Sequence, residues 1–155
     1  SSNRFARFMA LISFAFALLI PIEQLFSVNP FSSKYKTGQQ QIANAFSANR
    51  LEELVEVGPV FVNFTASWCI TCKVNEITAL GTRNVLEAFE LRGITYLVAD
   101  WSSEDPKITE ALEGYGRAGV PLYLLFEKGS SKPTVLPQIL TEDIVLNALD
   151  KIGAS

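Results

Sequence analysis

The chain has 155 residues, 48% of them hydrophobic and 19% charged, with a net charge of -3. That suits one domain with a sizeable core, is too apolar for a disordered tail, and lacks the basic footprint of a nucleic-acid partner. The absence of histidine removes imidazole acid–base chemistry, Ser-His and Cys-His nucleophile pairs and the commonest metal ligand, and two cysteines cannot staple a secreted mini-scaffold.

Arg4 and Arg7 precede an uncharged run, Phe8 to Ile22. As a helix its fifteen residues reach about 22 Å, against a hydrocarbon core of roughly 30 Å. A signal-peptide core, a membrane segment and a buried helix all fit such a run. The chain opens on Ser1 in place of methionine, which weighs against the signal peptide, so residues 1–22 are read as a membrane segment. Cations ahead of it would keep the N-terminus cytoplasmic and deliver the residues after Ile22 to the other side. Residues 23–41, with Pro30, Gly38 and several serines, read as a linker, and the folded domain is placed at 42–155.

Within that domain, Ile42 to Phe46 suits a short edge strand. Ser47 or Asn49 can cap a helix running to Val57, which Gly58-Pro59 ends. Val60 to Thr65 is a near-continuous apolar run, the mark of a central strand buried on both faces. Helical patterns follow at Thr71 to Leu80 and Asn84 to Arg92, then a second buried strand at Ile94 to Ala99. Asp105 and Pro106 open another helix, as cap and first residue, that ends near Gly114 to Gly116. Leu122 to Phe126 is a third apolar strand. Thr134 to Leu136, flanked by Pro133 and Pro137, suits only an edge. Thr141 caps a closing amphipathic helix that reaches Ile152. Strands alternating with helices, then two strands and a last helix, give a mixed α/β sandwich.

The only two cysteines lie in Trp68-Cys69-Ile70-Thr71-Cys72-Lys73, where a strand hands over to a helix. Three positions apart, they can close a small disulfide ring suited to reversible two-electron chemistry. So short a loop stabilises little by entropy. Unpaired N–H groups and the dipole at the helix start favour a thiolate on Cys69, making it the attacking sulfur, with Cys72 one turn in to resolve a mixed disulfide. The rival readings are inert packing, half a zinc site completed by carboxylates, and a Cu(I)-binding or copper-handling module on the same two thiolates. The single methionine lies far off in the apolar run, which weakens the copper reading. No metal ligand set and no cofactor is assigned.

With Gly119-Val120-Pro121 ahead of the third apolar strand, the order strand, Trp-Cys-x-x-Cys-Lys, helix, strand, helix, Gly-Val-Pro, strand resembles the thioredoxin fold. That is an α/β fold, a central mixed β-sheet flanked by helices, here preceded by an apolar N-terminal helix. Residues 60–76, 118–123 and 135–141 resemble more narrowly the C-terminal thioredoxin-like domain of the DsbD family of membrane thiol:disulfide interchange proteins, its ScsB-type branch closest. The resemblance covers roughly residues 42–152, and the apolar run fits the end of that family's membrane domain. It implies a protein-disulfide reductase of the bacterial inner membrane with this domain in the periplasm. A membrane domain of the same or a partner protein would donate electrons, and a periplasmic disulfide-containing protein or domain would accept them. A tethered cytochrome-maturation reductase and a disulfide isomerase are the rivals within redox chemistry. Ile70 and Thr71 stand between the cysteines with no imidazolium to stabilise the thiolate, which favours a reductant over a strong oxidant.

The resemblance also implies roles for neighbours of the pair. Pro121 matches the cis-proline beside the disulfide, which would leave the backbone of Val120 free to pair with a partner's extended chain. Glu76, one turn beyond Cys72, matches an acidic residue that can relay protons near the buried cysteine. Asn63 stands where the family carries a buried aspartate; it cannot titrate, leaving Glu76 or water to act alone. Trp68 reads as a contact surface or as core packing, and Lys73 as a solvated cation with a modest effect on the thiolate. Tyr96, Trp101, Tyr115 and Tyr123 read as core or groove wall.

Overall fold

A computed structural model describes residues 43–152; the apolar segment expected at 1–22 and the linker at 23–41 lie outside the described residues. Five strands form one sheet in the order β1 (Ala43–Ala45), β3 (Thr95–Asp100), β2 (Val60–Thr65), β4 (Leu122–Phe126), β5 (Thr134–Leu136). β3 runs parallel to both β1 and β2, while β4 is antiparallel to β2 and β5. No helix among the described residues is long and apolar enough to cross a membrane.

The helices begin where short polar side chains cap them. Ser47 accepts the Arg50 N–H at the start of α1 (Ala48–Val57). Asp105 accepts from Lys107 and Ile108 at α4 (Pro106–Gly114), and Thr141 accepts from Ile144 at α5 (Glu142–Lys151). α3 (Arg83–Leu91) starts a residue earlier than the pattern predicts because Thr82 accepts the Val85 N–H. Each such cap satisfies an N–H that the helix itself leaves unpaired.

The sheet's period of two sorts the core. Val60, Val62 and Phe64 of β2 join Leu97, Leu122 and Leu124 on the face covered by α1 and α4. Phe61, Tyr96, Tyr123 and Leu125 take the other face, packed against Leu80, Val85, Phe89, Val145 and Leu149. Phe61 sits at the centre of that side, its ring stacked on Tyr96 at 5.7 Å and tilted against Phe89 at 5.3 Å. The alternation that turns Phe61 this way also turns Asn63 and Thr65 to the same side. Two polar side chains are thereby buried at the C-terminal end of the central strand, beneath the helix that carries the cysteines.

That helix departs from expectation. It is α-helical over α2 (Ile70–Asn75) and then widens into a π turn over Glu76–Leu80. The widening comes where the adjacent Asn75 and Glu76 are both held by side chains and backbone outside the helix, and where Ala79 and Leu80 are both buried. Single π turns of this kind interrupt helices most often beside functional sites.

Candidate active site

Cys69 and Cys72 form a disulfide with their Cα atoms 5.2 Å apart. Cys69 is the N-cap of α2, and its sulfur accepts the Cys72 N–H at 3.2 Å. Cys69 keeps 7% of its surface accessible, whereas Cys72 has none. Ala66 packs against both, with Val120 alongside. The Val120–Pro121 bond is cis, and Pro121 is buried at the head of β4. The ring is thus accessible from one side only, through Cys69.

Beneath the pair lies a polar cluster. Glu76 Oε1 accepts the Thr65 hydroxyl at 2.7 Å and, more loosely, the Asn63 amide at 3.4 Å. Its Oε2 accepts Lys73 Nζ at 2.8 Å, so Lys73 is tied to the site rather than freely solvated. Asn63 Nδ2 also donates to the Tyr96 hydroxyl at 2.9 Å, while its Oδ1 meets no donor. The Asn63 amide thus donates to two side chains, one on the cysteine helix and one on β3. Asn75, 1% exposed, donates to the Tyr123 hydroxyl at 2.9 Å and to the Gln138 carbonyl at 2.7 Å, and accepts the Leu140 N–H at 3.1 Å.

Burial raises both tyrosines. Tyr123 is pushed up to about 12 by loss of solvent, opposed by the Asn75 hydrogen bond and reinforced by the charge of Glu76. Burial carries Tyr96 beyond the ordinary tyrosine range against the opposing Asn63 hydrogen bond. The folded form thus holds these protons to higher pH than the unfolded chain, whose tyrosines release theirs near 10. Their contribution to stability should be intact below about pH 10 and be lost as pH rises towards 12. Unfolding midpoints measured along that alkaline range should fall, and tyrosinate absorbance should rise in step with unfolding; midpoints that stay level would contradict the assignment.

Around the accessible sulfur the surface is apolar. Trp68 is 54% exposed and Ile70 80%, and Val74 and Ile77 continue along the exposed face of the helix. Trp68 is both contact surface and packing: its ring tilts against Trp101 at 5.9 Å, and its Nε1 donates to the Ser102 carbonyl. Ser102 also receives the Ser67 N–H on its hydroxyl at 2.7 Å and is itself held by Asp100. The structure thus brings together Cys69, Cys72, Glu76, Lys73, Asn63, Trp68, Val120 and Pro121 at the C-terminal end of β2.

The sequence profile of the thioredoxin-like family matches residues 43–128, more than half of the chain. The chain belongs to the thioredoxin-like family. Among curated proteins, the thiol:disulfide interchange protein DsbD of Campylobacter jejuni strain RM1221 is 22% identical over 114 residues, covering 74% of this chain and 20% of its own length. The chain thus spans about a fifth of the length of the curated relatives it matches. The reduced DsbD C-terminal domain of Neisseria meningitidis superposes with a TM-score of 0.57 at 20% identity, over 70% of this chain and 98% of that one. A thioredoxin of Thermus thermophilus gives 0.60 at 16% identity, over 73% and 88%. A thioredoxin-like domain with a Cys69–Cys72 disulfide at its helix start is a thiol:disulfide oxidoreductase.

Thr65, Asn75 and Ser102 take part in this thioredoxin-like site and were not singled out from the sequence. The usable signal was burial: Asn75 interrupts the inward face of a helix that continues with Ala79 and Leu80, and Thr65 closes a strand buried throughout. Among the described residues no group of three or more Cys, Asp or Glu side chains stands together as a metal site would need.

Proposed function

We propose that this domain is the periplasmic arm of a membrane-linked protein-disulfide reductase, relaying electrons from a membrane domain to a disulfide in a periplasmic protein or domain. The observation that carries this reading is the asymmetry of the pair, an edge-accessible Cys69 at a helix start against a fully buried Cys72 above Glu76. The likeness to DsbD sequences supports the membrane link. Exposed Trp68 and Ile70 beside Cys69 suit a protein partner better than a small polar thiol.

In the reduced state the Cys72 N–H that meets the Cys69 sulfur becomes a donor to a thiolate, which favours the charged form. Cys69 attacks one sulfur of the acceptor disulfide, forming a mixed disulfide and releasing the other acceptor sulfur as a thiolate that takes up a proton. Cys72 gives its proton to the Glu76 carboxylate and attacks Cys69, releasing the second acceptor sulfur as a thiolate that takes up a proton from solvent, while Glu76 returns its own to solvent. The acceptor gains two electrons and two protons, and the domain is left as the disulfide. The membrane donor then reduces it again. Val120, beside the pair, offers its backbone to the acceptor chain, and Trp68 its ring.

The test is capture. Cys72→Ser, exposed to a membrane-and-periplasm extract, should accumulate mixed disulfides through Cys69 with periplasmic proteins or domains. Capture by neither cysteine variant would end the relay reading, and capture confined to copper-loaded proteins would favour the metal rival. For the proton step, Glu76→Gln should slow resolution of the mixed disulfide on the order of a hundredfold at neutral pH while leaving its formation intact. Quenched-flow gels resolve the two steps, and an unchanged lifetime would remove Glu76 from the mechanism.

A further inference from the structure

Thr65 makes the shortest contact that the inner oxygen of Glu76 receives. Its hydroxyl lies 2.7 Å from Oε1, in a residue 5% exposed at the end of the central strand. The two carboxylate oxygens are held differently. Oε2 meets Lys73, a half-exposed cation of the same helix, whereas Oε1 faces the buried side chains of β2. Asn63 also reaches Oε1, at 3.4 Å, through a nitrogen that can only donate and that is shared with Tyr96. A hydroxyl is different: it donates to a carboxylate and, after a rotation about one bond, accepts from a carboxylic acid. The residue that follows it, Ala66, packs against both cysteines. The titratable and charged groups facing Glu76 are Lys73 on its own helix, Tyr96 on β3, Tyr123 on β4, and Cys72 one turn back, whose carbonyl accepts the Glu76 N–H.

We propose that Thr65 is a positioning residue for the proton transfer, its hydroxyl holding Glu76 Oε1 in place in both protonation states. It donates while Glu76 is the carboxylate and accepts once the proton of Cys72 has arrived, so the side chain need not swing as the charge moves. This rests on the reading that Glu76 takes the Cys72 proton. Asn63 cannot play this part from its nitrogen, and the aspartate that the family resemblance leads one to expect there is absent. The work of steadying the single acidic group thus falls to a threonine hydroxyl.

The full 155-residue chain, reduced and mixed with an aryl disulfide whose released thiolate is coloured, reports the two steps separately. Attack by Cys69 releases the first aryl thiolate; resolution by Cys72 releases the second and leaves the Cys69–Cys72 disulfide, two electrons having passed to the probe. Thr65→Val fills the same volume without the hydroxyl. It should slow the second phase roughly tenfold, the loss expected for one hydrogen bond to a charged group, and leave the first phase within about twofold. Thr65→Ser should restore the rate. A Thr65→Ser chain as slow as Thr65→Val, or two phases slowed equally, would overturn the proposal by making the side chain merely structural. So would an unaffected second phase in Thr65→Val while Glu76→Gln slows it, which leaves the relay standing and removes Thr65. If Glu76→Gln changes nothing, the relay itself falls and the proposal with it.

Discussion

Cys72→Ser is expected to stall after a single turnover as a stable mixed disulfide through Cys69, and Cys69→Ser to lose attack on a protein disulfide by a factor on the order of a thousand or more. The asymmetry follows from access and charge together. Cys69 is the cysteine with surface to offer an incoming disulfide, and the helix start supplies an N–H to its sulfur. Cys72 has no accessible surface and is buried in one cluster with Ala66, so it can reach only the sulfur that Cys69 presents to it. In the Cys72→Ser chain the mixed disulfide has no internal thiolate to break it. Its decay should then track the concentration of added external thiol. In the Cys69→Ser chain the remaining thiol is buried and lacks the capping position. Mass spectrometry of the quenched reaction distinguishes the two. A covalent adduct on Cys72 in the Cys69→Ser chain, formed as fast as the adduct on Cys69 in its counterpart, would reverse the assignment of attacker and resolver.

What the sequence showed of this site depended on how far apart the interacting residues lie along the chain. The pair itself, the strand before it and the Gly-Val-Pro ahead of β4 are local patterns, and they stand where expected. Asn63 was conspicuous because the family resemblance leads one to expect an aspartate there. The partners of these residues were not legible in the same way. Thr65 reaches Glu76 across eleven positions, and Asn75 reaches Gln138 and Leu140 across more than sixty. A polar residue at the end of a buried strand reads as a cap or a turn until the helix above it is placed. Lys73 reads as a solvated cation for the same reason: its partner, three positions on, is fixed in place by β2 and not by the helix. The π turn is a tertiary effect of the same kind, since Ile77 and Thr78 disfavour an ordinary α-helix only mildly and nothing in Glu76 to Leu80 calls for a wider turn.

Asn75→Ala should cost about 3 kcal/mol of folding stability, a large share of what a domain of this size has. One amide satisfies three groups: the Tyr123 hydroxyl, the Gln138 carbonyl and the Leu140 N–H. Leu140 is 3% exposed, so its N–H has no solvent to turn to once the amide oxygen is gone. A buried donor left unpaired costs roughly 1–3 kcal/mol by itself, and the freed carbonyl, hydroxyl and small cavity add to it. The melting temperature should drop by roughly 10–15 °C. The damage should also be local. Asn75 ties the last turn of α2 to the stretch joining β5 to α5, and that stretch places Leu140 in the core on the active-site side of the sheet. Amide hydrogen exchange should therefore quicken first at Leu140 and at the turn carrying Cys72, ahead of β2 and β3. A variant within about 0.5 kcal/mol of the parent would show that the amide is solvated rather than structural, as surface substitutions are. A large loss of stability with uniform exchange would show instead that α2 and the β5–α5 connection hold together without it.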